Sequence, residues 1–299
     1  MNFHAPVLLP EILALAEGAA RVVDGTLGDG GHSEAFIGAG ARVLGIDRDP
    51  EARARARARI GSERLEIIPG SSYDDAVLSR IREFKPDLIL LDLGVSSRQL
   101  DDESLGFSFR PGTVLDMRMS GQGNTAADIL NAWPEEDLAA AFADWGDERR
   151  ARPLAREIVR RRSRGPFVTS DDLVNAIRAT LGPRSGPPDF ARIFQAMRIA
   201  VNGELDGLAH ALPELRDALV AGGRLLVISY HSGEDRIVKH AFQEWARRCV
   251  CPPELPICRC RGRALGILDP RRPVRAGASE VHTNPRARSA TLRGFRTVP

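Results

Sequence analysis

The sequence predicts an open, doubly wound α/β sheet of the Rossmann-like type, interrupted by a helical domain. Three observations lead there. Strand-like apolar runs alternate with helix-like runs from Val22 to Asp92, as crossover helices joining parallel strands require. The run Leu88-Ile89-Leu90-Leu91 is continuously apolar, which suits a strand covered on both faces. The alternation then stops between Leu105 and Leu212 and resumes at Leu225-Leu226-Val227-Ile228, so a non-sheet segment sits inside the sheet. The expected boundaries are residues 1–104 and 213–299 for the sheet domain. Residues 105–212 are the helical insertion, a candidate for substrate recognition.

Taken in order, Pro6 to Leu13 reads as a lead-in with a short helix, and Val22-Val23 ends the first strand. The glycine-rich stretch Asp24-Gly25-Thr26-Leu27-Gly28-Asp29-Gly30-Gly31 follows, and Ser33 to Ile37 starts a helix. Ala41 to Ile46 is the second strand, ending in Asp47. Pro50, a favoured first helical residue, opens the alanine–arginine helix that follows. Leu65 to Ile68 is the third strand, Val77 to Phe84 a helix, and Pro86 to Asp92 the fourth strand. In the insertion, helices are expected over Asn124–Asn131, Glu135–Trp145, Arg152–Arg162, Ser170–Thr180 and Asp189–Asn202. Ser170-Asp171-Asp172 gives the fourth of these an N-terminal signal. Gly222-Gly223 turns into the fifth strand, Glu234 to Arg248 is helical, and Ser289 to Phe295 can close the sheet.

The bulk composition excludes little. With 299 residues, 43% hydrophobic and 27% charged, the chain has ordinary globular composition. No apolar run reaches the roughly 18 residues of a membrane span, and no secretory signal pattern is seen, so a cytoplasmic location is expected. The formal net charge of +2 names no partner. All basic residues but Lys85 and Lys239 are arginine. A GC-rich genome is the favoured cause; arginine also pairs bidentately with phosphate, and composition does not separate the two.

Ligands of open α/β sheets bind beyond the carboxyl ends of the strands. Four such ends carry polar or glycine-rich sequence here: Asp24 to His32, Asp47, Asp92-Leu93-Gly94-Val95-Ser96-Ser97, and Ser229-Tyr230-His231-Ser232. A strand, a glycine turn and a helix start make a nucleotide-cradling loop, although the same pattern serves as a plain strand–helix turn. Asp47 lies where an acid commonly binds ribose hydroxyls. The glycines do not follow Gly-x-Gly-x-x-Gly, and Asp92 adds a second acid. Acidic walls suit a cationic sulfonium better than a pyrophosphate, which favours a methyl donor over a dinucleotide. An oxidoreductase on the same sheet and a non-catalytic RNA-binding protein remain the competing readings. A serine hydrolase is not supported, because Gly94-Val95-Ser96-Ser97 lacks the spaced second glycine of a nucleophile elbow.

Asp24 to Ser33, Ile46-Asp47-Arg48-Asp49 and Leu91 to Asp101 resemble the bacterial 16S rRNA (cytosine-N4)-methyltransferases, the ribosomal small-subunit methyltransferase H (MraW) family. So do Gly106 to Phe109, Leu115 to Met119, Phe194 to Ile199, Glu234 to Lys239 and Asn284 to Ser289. The likeness runs nearly end to end. It implies a class I S-adenosylmethionine-dependent methyltransferase sheet with an inserted helical domain. It also implies methylation of the exocyclic N4 of one cytidine, cytosine 1402, in 16S rRNA of the small ribosomal subunit. By the same resemblance Gly30, Gly31 and His32 contact S-adenosylmethionine, Asp47 holds its ribose, and Asp92 and Gln99 line the pocket, with Asp24 and Gly28 in the same loop. Tyr73 is the candidate beside the adenine, and Ser71-Ser72 before it departs from the family's Gly-x-Phe.

For the chemistry, Asp92 or the carbonyls after it can accept the amino protons of the target base. Tyr230 can stack on that base, and His231 completes the candidate catalytic group. Gly233 departs from the family's His-Ser-Leu-Glu-Asp and is expected to loosen this loop. Each of these residues also has a plain packing or capping reading. Arg149 to Arg164 holds eight arginines in 16 residues; it is either a phosphate-binding stretch or a solvated helix face. The pairs Cys249/Cys251 and Cys258/Cys260 sit closer within each pair than structural zinc sites usually allow. They read as thiols, and no metal site is assigned.

Overall fold

The structure, a computed structural model, describes residues 5–252, 257 and 259–298. The chain divides into two compact units, one formed by Met1–Gly94 with Leu205–Pro299 and the other by Val95–Glu204. The division falls at 94/95 and 204/205, against the 104/105 and 212/213 expected from sequence.

The chain enters the first unit through α1 (Leu9–Leu15) and alternates β1 (Arg21–Asp24), α2 (Gly31–Gly38), β2 (Arg42–Asp47), α3 (Pro50–Ile60), β3 (Leu65–Pro69), α4 (Asp75–Phe84) and β4 (Leu88–Asp92). The second unit contains α5 (Ser97–Asp101), a 3₁₀ turn at Glu103–Leu105, α6 (Ala126–Ala132), α7 (Glu135–Asp144), α8 (Ala151–Arg162), α9 (Ser170–Leu181) and α10 (Pro187–Asn202). The chain then returns through α11 (Glu204–Ala218), β5 (Arg224–Ser229), α12 (Ser232–Trp245), β6 (Gly266–Leu268), β7 (Val274–Arg275), α13 (Ala278–Thr283) and β8 (Thr291–Thr297).

The sheet runs β3-β2-β1-β4-β5-β8-β6, with β7 also paired to β8. β1 to β5 are parallel, and β8 is antiparallel to β5 in the register Leu225↔Phe295. The period of two along each strand sorts its side chains between two cores. Val23, Leu44, Ile89, Leu91, Leu225 and Val227 face a layer built from α4, α11 and α12. Val22, Val43, Leu88, Leu90, Leu226 and Ile228 face Leu8, Ile12 and Phe36 of the opposite layer. Leu88, Ile89, Leu90 and Leu91 are each 1% exposed or less, and burying four such side chains is worth on the order of 10 kcal/mol as an upper bound. The continuous apolar run thus reflects burial on both faces.

Local signals fix the helix starts. Asp49 accepts the Glu51 N–H at 2.8 Å ahead of Pro50 at α3. Thr125 and Asp128 cap α6 reciprocally, at 3.0 and 2.8 Å. The second unit is helical, as expected, with one isolated antiparallel bridge, Val114↔Thr169, among its described residues. α11 is not among the helices expected from sequence, and it contains Gly207 and Pro213, both poor helix residues. Tertiary packing explains Gly207: a Cβ there would lie 2.5 Å from Tyr73 Cδ2. β6 and β7, of three and two residues, are too short to leave a periodic signal.

Candidate active site

β1 lies between β2 and β4, so the strand order reverses there, which opens a crevice at the carboxyl ends of these strands. Asp24, Asp47, Asp92 and Ser229 are the last residues of β1, β2, β4 and β5. All four belong to the first unit.

The glycine turn after β1 closes on protein as well as on open space. Gly30 caps α2 with φ of 79°, and a Cβ on it would lie 2.9 Å from Ile60 Cδ1 of α3. Gly28, with φ of 52°, has nothing nearer than Thr26 O at 3.9 Å from such a Cβ. Close approach of a ligand is therefore available at Gly28, whereas Gly30 makes room for α3. The N–H groups of the first turn of α2, from Gly31 through Ser33, have no partner within the helix.

The turn is held by acids. Asp24, 1% exposed, accepts the Ser33 hydroxyl at 2.6 Å and the Thr26 N–H at 3.3 Å. Thr26 in turn accepts the Asp92 N–H at 2.6 Å through its Oγ1, which joins the end of β4 to the turn after β1. Asp47 accepts N–H groups from Gly28 at 2.8 Å and Asp49 at 2.9 Å. Desolvation pushes the carboxyls of Asp24 and Asp47 above the ordinary carboxylate range despite these bonds. His32 Nε2 donates to Val7 O at 2.9 Å, and its Nδ1 lies 3.9 Å from Asp92 Oδ2.

Asp92 is the centre of the arrangement. Its Oδ1 accepts the Tyr230 hydroxyl at 2.7 Å. Its side chain keeps 24% of its surface accessible, enough to meet a substrate while most of it is enclosed. Desolvation raises its pKa, opposed chiefly by the charge of His32 and by the Tyr230 bond. Burial and the Asp92 charge push the Tyr230 phenol far above its usual value, so it stays a donor. The Tyr230 ring lies beside Gly94, 3.6 Å from a Cβ placed there, where the chain turns with φ of 91°.

Glu234 positions the end of β5. Only 2% exposed, it accepts the N–H of Tyr230 at 2.8 Å and of His231 at 3.4 Å. His231 Nε2 is 3.2 Å from Glu234 Oε1, without hydrogen-bond alignment. Gly233 does not loosen this loop, contrary to expectation. It is inside the first turn of α12, and a Cβ on it would press within 3.1 Å of His231 Nδ1. The missing side chain makes room for the imidazole.

Two further assigned residues have other partners. The Tyr73 ring packs on Gly207 of α11, with its N–H donating to Ser71 Oγ at 3.2 Å. Gln99 belongs to the second unit, where it forms a capping box with Ser96: Oε1 accepts the Ser96 N–H at 2.9 Å, and the Gln99 N–H donates to Ser96 Oγ at 3.2 Å.

A family model described as the MraW methylase family matches residues 1–298. The chain belongs to the MraW methylase family. A protein named ribosomal RNA small subunit methyltransferase H from Gemmatimonas aurantiaca is 55% identical over 304 residues, covering 99% of this chain and 96% of that protein. Proteins of the same name from Rubrobacter xylanophilus and Heliobacterium mobile are 48% and 42% identical over 307 residues each, covering 99% and 98% of this chain and 96% and 98% of their own lengths. The parallel sheet with its antiparallel β8 is the class I methyltransferase architecture.

In this MraW methylase, sequence reasoning missed Thr26, Ser33 and Glu234 as parts of the site. Glu234 alone left a signal, as a Glu at the third position of a helix, where it closes a capping box. The arginines of α8 and its flanks also differ in kind. Arg162 Nη1 donates to Leu130 O at 3.0 Å and Trp133 O at 2.7 Å, closing the end of α6. Arg160 and Arg161 bond Glu157 at 2.7 Å each and hold its carboxyl down at about 2, the Arg160 hydrogen bond contributing most. Arg149, Arg152 and Arg164 are exposed. No helix among the described residues is long and apolar enough to cross a membrane.

Proposed function

We propose that this chain transfers a methyl group from S-adenosylmethionine to the exocyclic N4 of one cytidine in 16S rRNA of the small ribosomal subunit. The observation that carries the reading is the Asp92 carboxylate at the end of β4, aimed by Tyr230 and left partly accessible. The names of the relatives support the rRNA substrate. The residues present fit the donor. The partly accessible carboxylates of Asp47 and Asp92 would meet its ribose hydroxyls and cationic groups, the buried Asp24 would hold the glycine turn in shape beneath it, and the α2 N-terminus suits its carboxylate.

S-adenosylmethionine supplies an electrophilic methyl group when bound. The chain's own task is to make a poor nucleophile attack it, because the N4 lone pair of cytosine is delocalised into the ring. Tyr230 occupies Asp92 Oδ1, so Oδ2 is the oxygen presented to an amino proton. An N–H bonded to that carboxylate is held in line for attack, and the positive charge that develops on nitrogen is offset as the C–S bond breaks. The N4 proton then passes to Asp92 or to solvent, leaving the methylated amine and S-adenosylhomocysteine. His32, with its Nδ1 3.9 Å from Asp92 Oδ2, and Glu234, through the backbone N–H groups of Tyr230 and His231, hold the pair in place. His231 acts through Glu234. The exposed arginines of α8 supply phosphate contacts to the RNA.

The test is methyl transfer from labelled donor to small subunits, followed by mapping of the modified base. Label at N4 of a single 16S cytidine is expected. Incorporation at any other atom would overturn the substrate assignment.

A further inference from the structure

The connection between α12 and β6 brings together cysteines remote from the acids of the site. The Sγ atoms of Cys249, Cys251 and Cys260 all lie within 4.8 Å of one another, and those of Cys249 and Cys260 are 3.8 Å apart. An ion bound tetrahedrally at about 2.3 Å from each sulfur places its ligand sulfurs about 3.8 Å apart. The observed triangle is at or slightly wider than that spacing. Backbone donors add a second, independent indication. The Val250 N–H points to Cys260 Sγ at 3.3 Å, and the Arg259 N–H to Cys251 Sγ at 3.4 Å. Each Cys-x-Cys segment thus offers an N–H to a sulfur of the other. Such donors stabilise sulfur in its charged, ligating form.

From this geometry we propose a structural zinc site on Cys249, Cys251 and Cys260. The close spacing within each pair argued from sequence for plain thiols, but folding opposes the two segments and supplies the triangle that neither makes alone. Cys258 lies outside the described residues, and the site is argued without it. Binding converts the three thiols to thiolates and releases three protons, so affinity rises with pH. The ion fastens the far part of a connection whose neck is already tied. Leu265 N–H donates to Trp245 O at 2.9 Å, and Arg261 bonds the Glu244 carboxylate at 2.8 Å and also the Glu244 carbonyl. The role is to hold this connection in shape; Asp92 and its neighbours take no part.

The full-length protein, purified without chelator, should carry about one zinc by elemental analysis and keep it through dialysis against metal-free buffer. Cobalt(II) exchanged into the wild type should show intense thiolate-to-metal charge-transfer absorption, which needs no variant and so does not depend on any mutant folding. Cys249→Ser combined with Cys251→Ser should lose the metal at least tenfold while keeping a folded circular dichroism spectrum. Metal-free wild type that gives no charge-transfer band with added cobalt overturns the proposal. So does a folded double variant that retains full zinc.

Discussion

Desolvation and the nearby charges of Asp24 and Glu234 favour the protonated form of Asp92, whereas His32 and the Tyr230 hydroxyl favour the charged one; the balance raises its pKa. The folded state therefore binds this proton more tightly than the unfolded chain does. Its contribution to stability is full below the unfolded pKa and is lost as pH rises through the folded pKa. Asp92→Asn removes that cost at neutral pH. It should raise the melting temperature by about 2–4 °C, roughly 1 kcal/mol in a chain of this size. Methyl transfer should fall by roughly 10²–10³-fold. Calorimetry beside a labelled-methyl assay checks both, and a lower melting temperature with full activity would remove Asp92 from both roles. In the wild type, activity should fall on the acid side at a pH above the ordinary carboxylate range; that limb belongs jointly to Asp92 and Asp24, which interact. Tyr230→Phe deletes the bond that holds Asp92 ionised. The acid limb should then move to higher pH and the rate fall about tenfold, with donor affinity kept; an unmoved limb would make Tyr230 a packing residue. The strand-end rule found Asp24, Asp47 and Asp92 from sequence. It could not find Thr26, whose hydroxyl ties the end of β4 to the turn after β1, or Ser33, whose hydroxyl donates to Asp24 from α2, because a hydroxyl making one such bond has no spacing of its own.

At the level of elements, each helix expected in the insertion is present to within a few residues, since its apolar period and capping signals are both local. The arginines of α8 were legible as a cluster but not as a function. Periodicity does not say that Arg162 turns inward to the carbonyls of Leu130 and Trp133 while Arg152 and Arg164 face solvent. The two kinds should separate on mutation. Arg162→Ala leaves two carbonyls at the end of α6 without their cationic donor and should cost about 1–3 kcal/mol by thermal melting. Arg152→Glu with Arg164→Glu should leave the melt within about 0.5 kcal/mol. The double variant should nevertheless weaken rRNA binding and lower the slope of log affinity against log salt by about one to two. Equal salt slopes for the double variant and wild type would make this a solvated face and move the RNA contacts elsewhere.

For the whole molecule, where one unit yields to the other was the least legible feature. Val95 and Leu100 pack against the core of the second unit, and Leu208, Ala211, Leu212 and Leu215 of α11 belong to that of the first. No composition shift marks either junction; what decides them is which core a side chain joins. The two units also differ in how the chain builds them. The first needs segments from both sides of the insertion, because β8, near the end of the chain, covers β5 in the sheet that β1 begins. The second is one uninterrupted segment with its own core, in which Leu130, Leu138, Phe142, Leu154, Ile158, Leu173, Ile177, Ile193 and Met197 are each buried to 3% exposure or less. A continuous segment of domain size with a closed core meets the conditions for independent folding. Residues 95–204 expressed alone should therefore give a helical spectrum and a single cooperative melt, with no affinity for S-adenosylhomocysteine, since Asp24, Asp47 and Asp92 are absent from it. A non-cooperative melt would show that this core is completed by the first unit, and the insertion would then be an outgrowth of the sheet domain rather than a domain of its own.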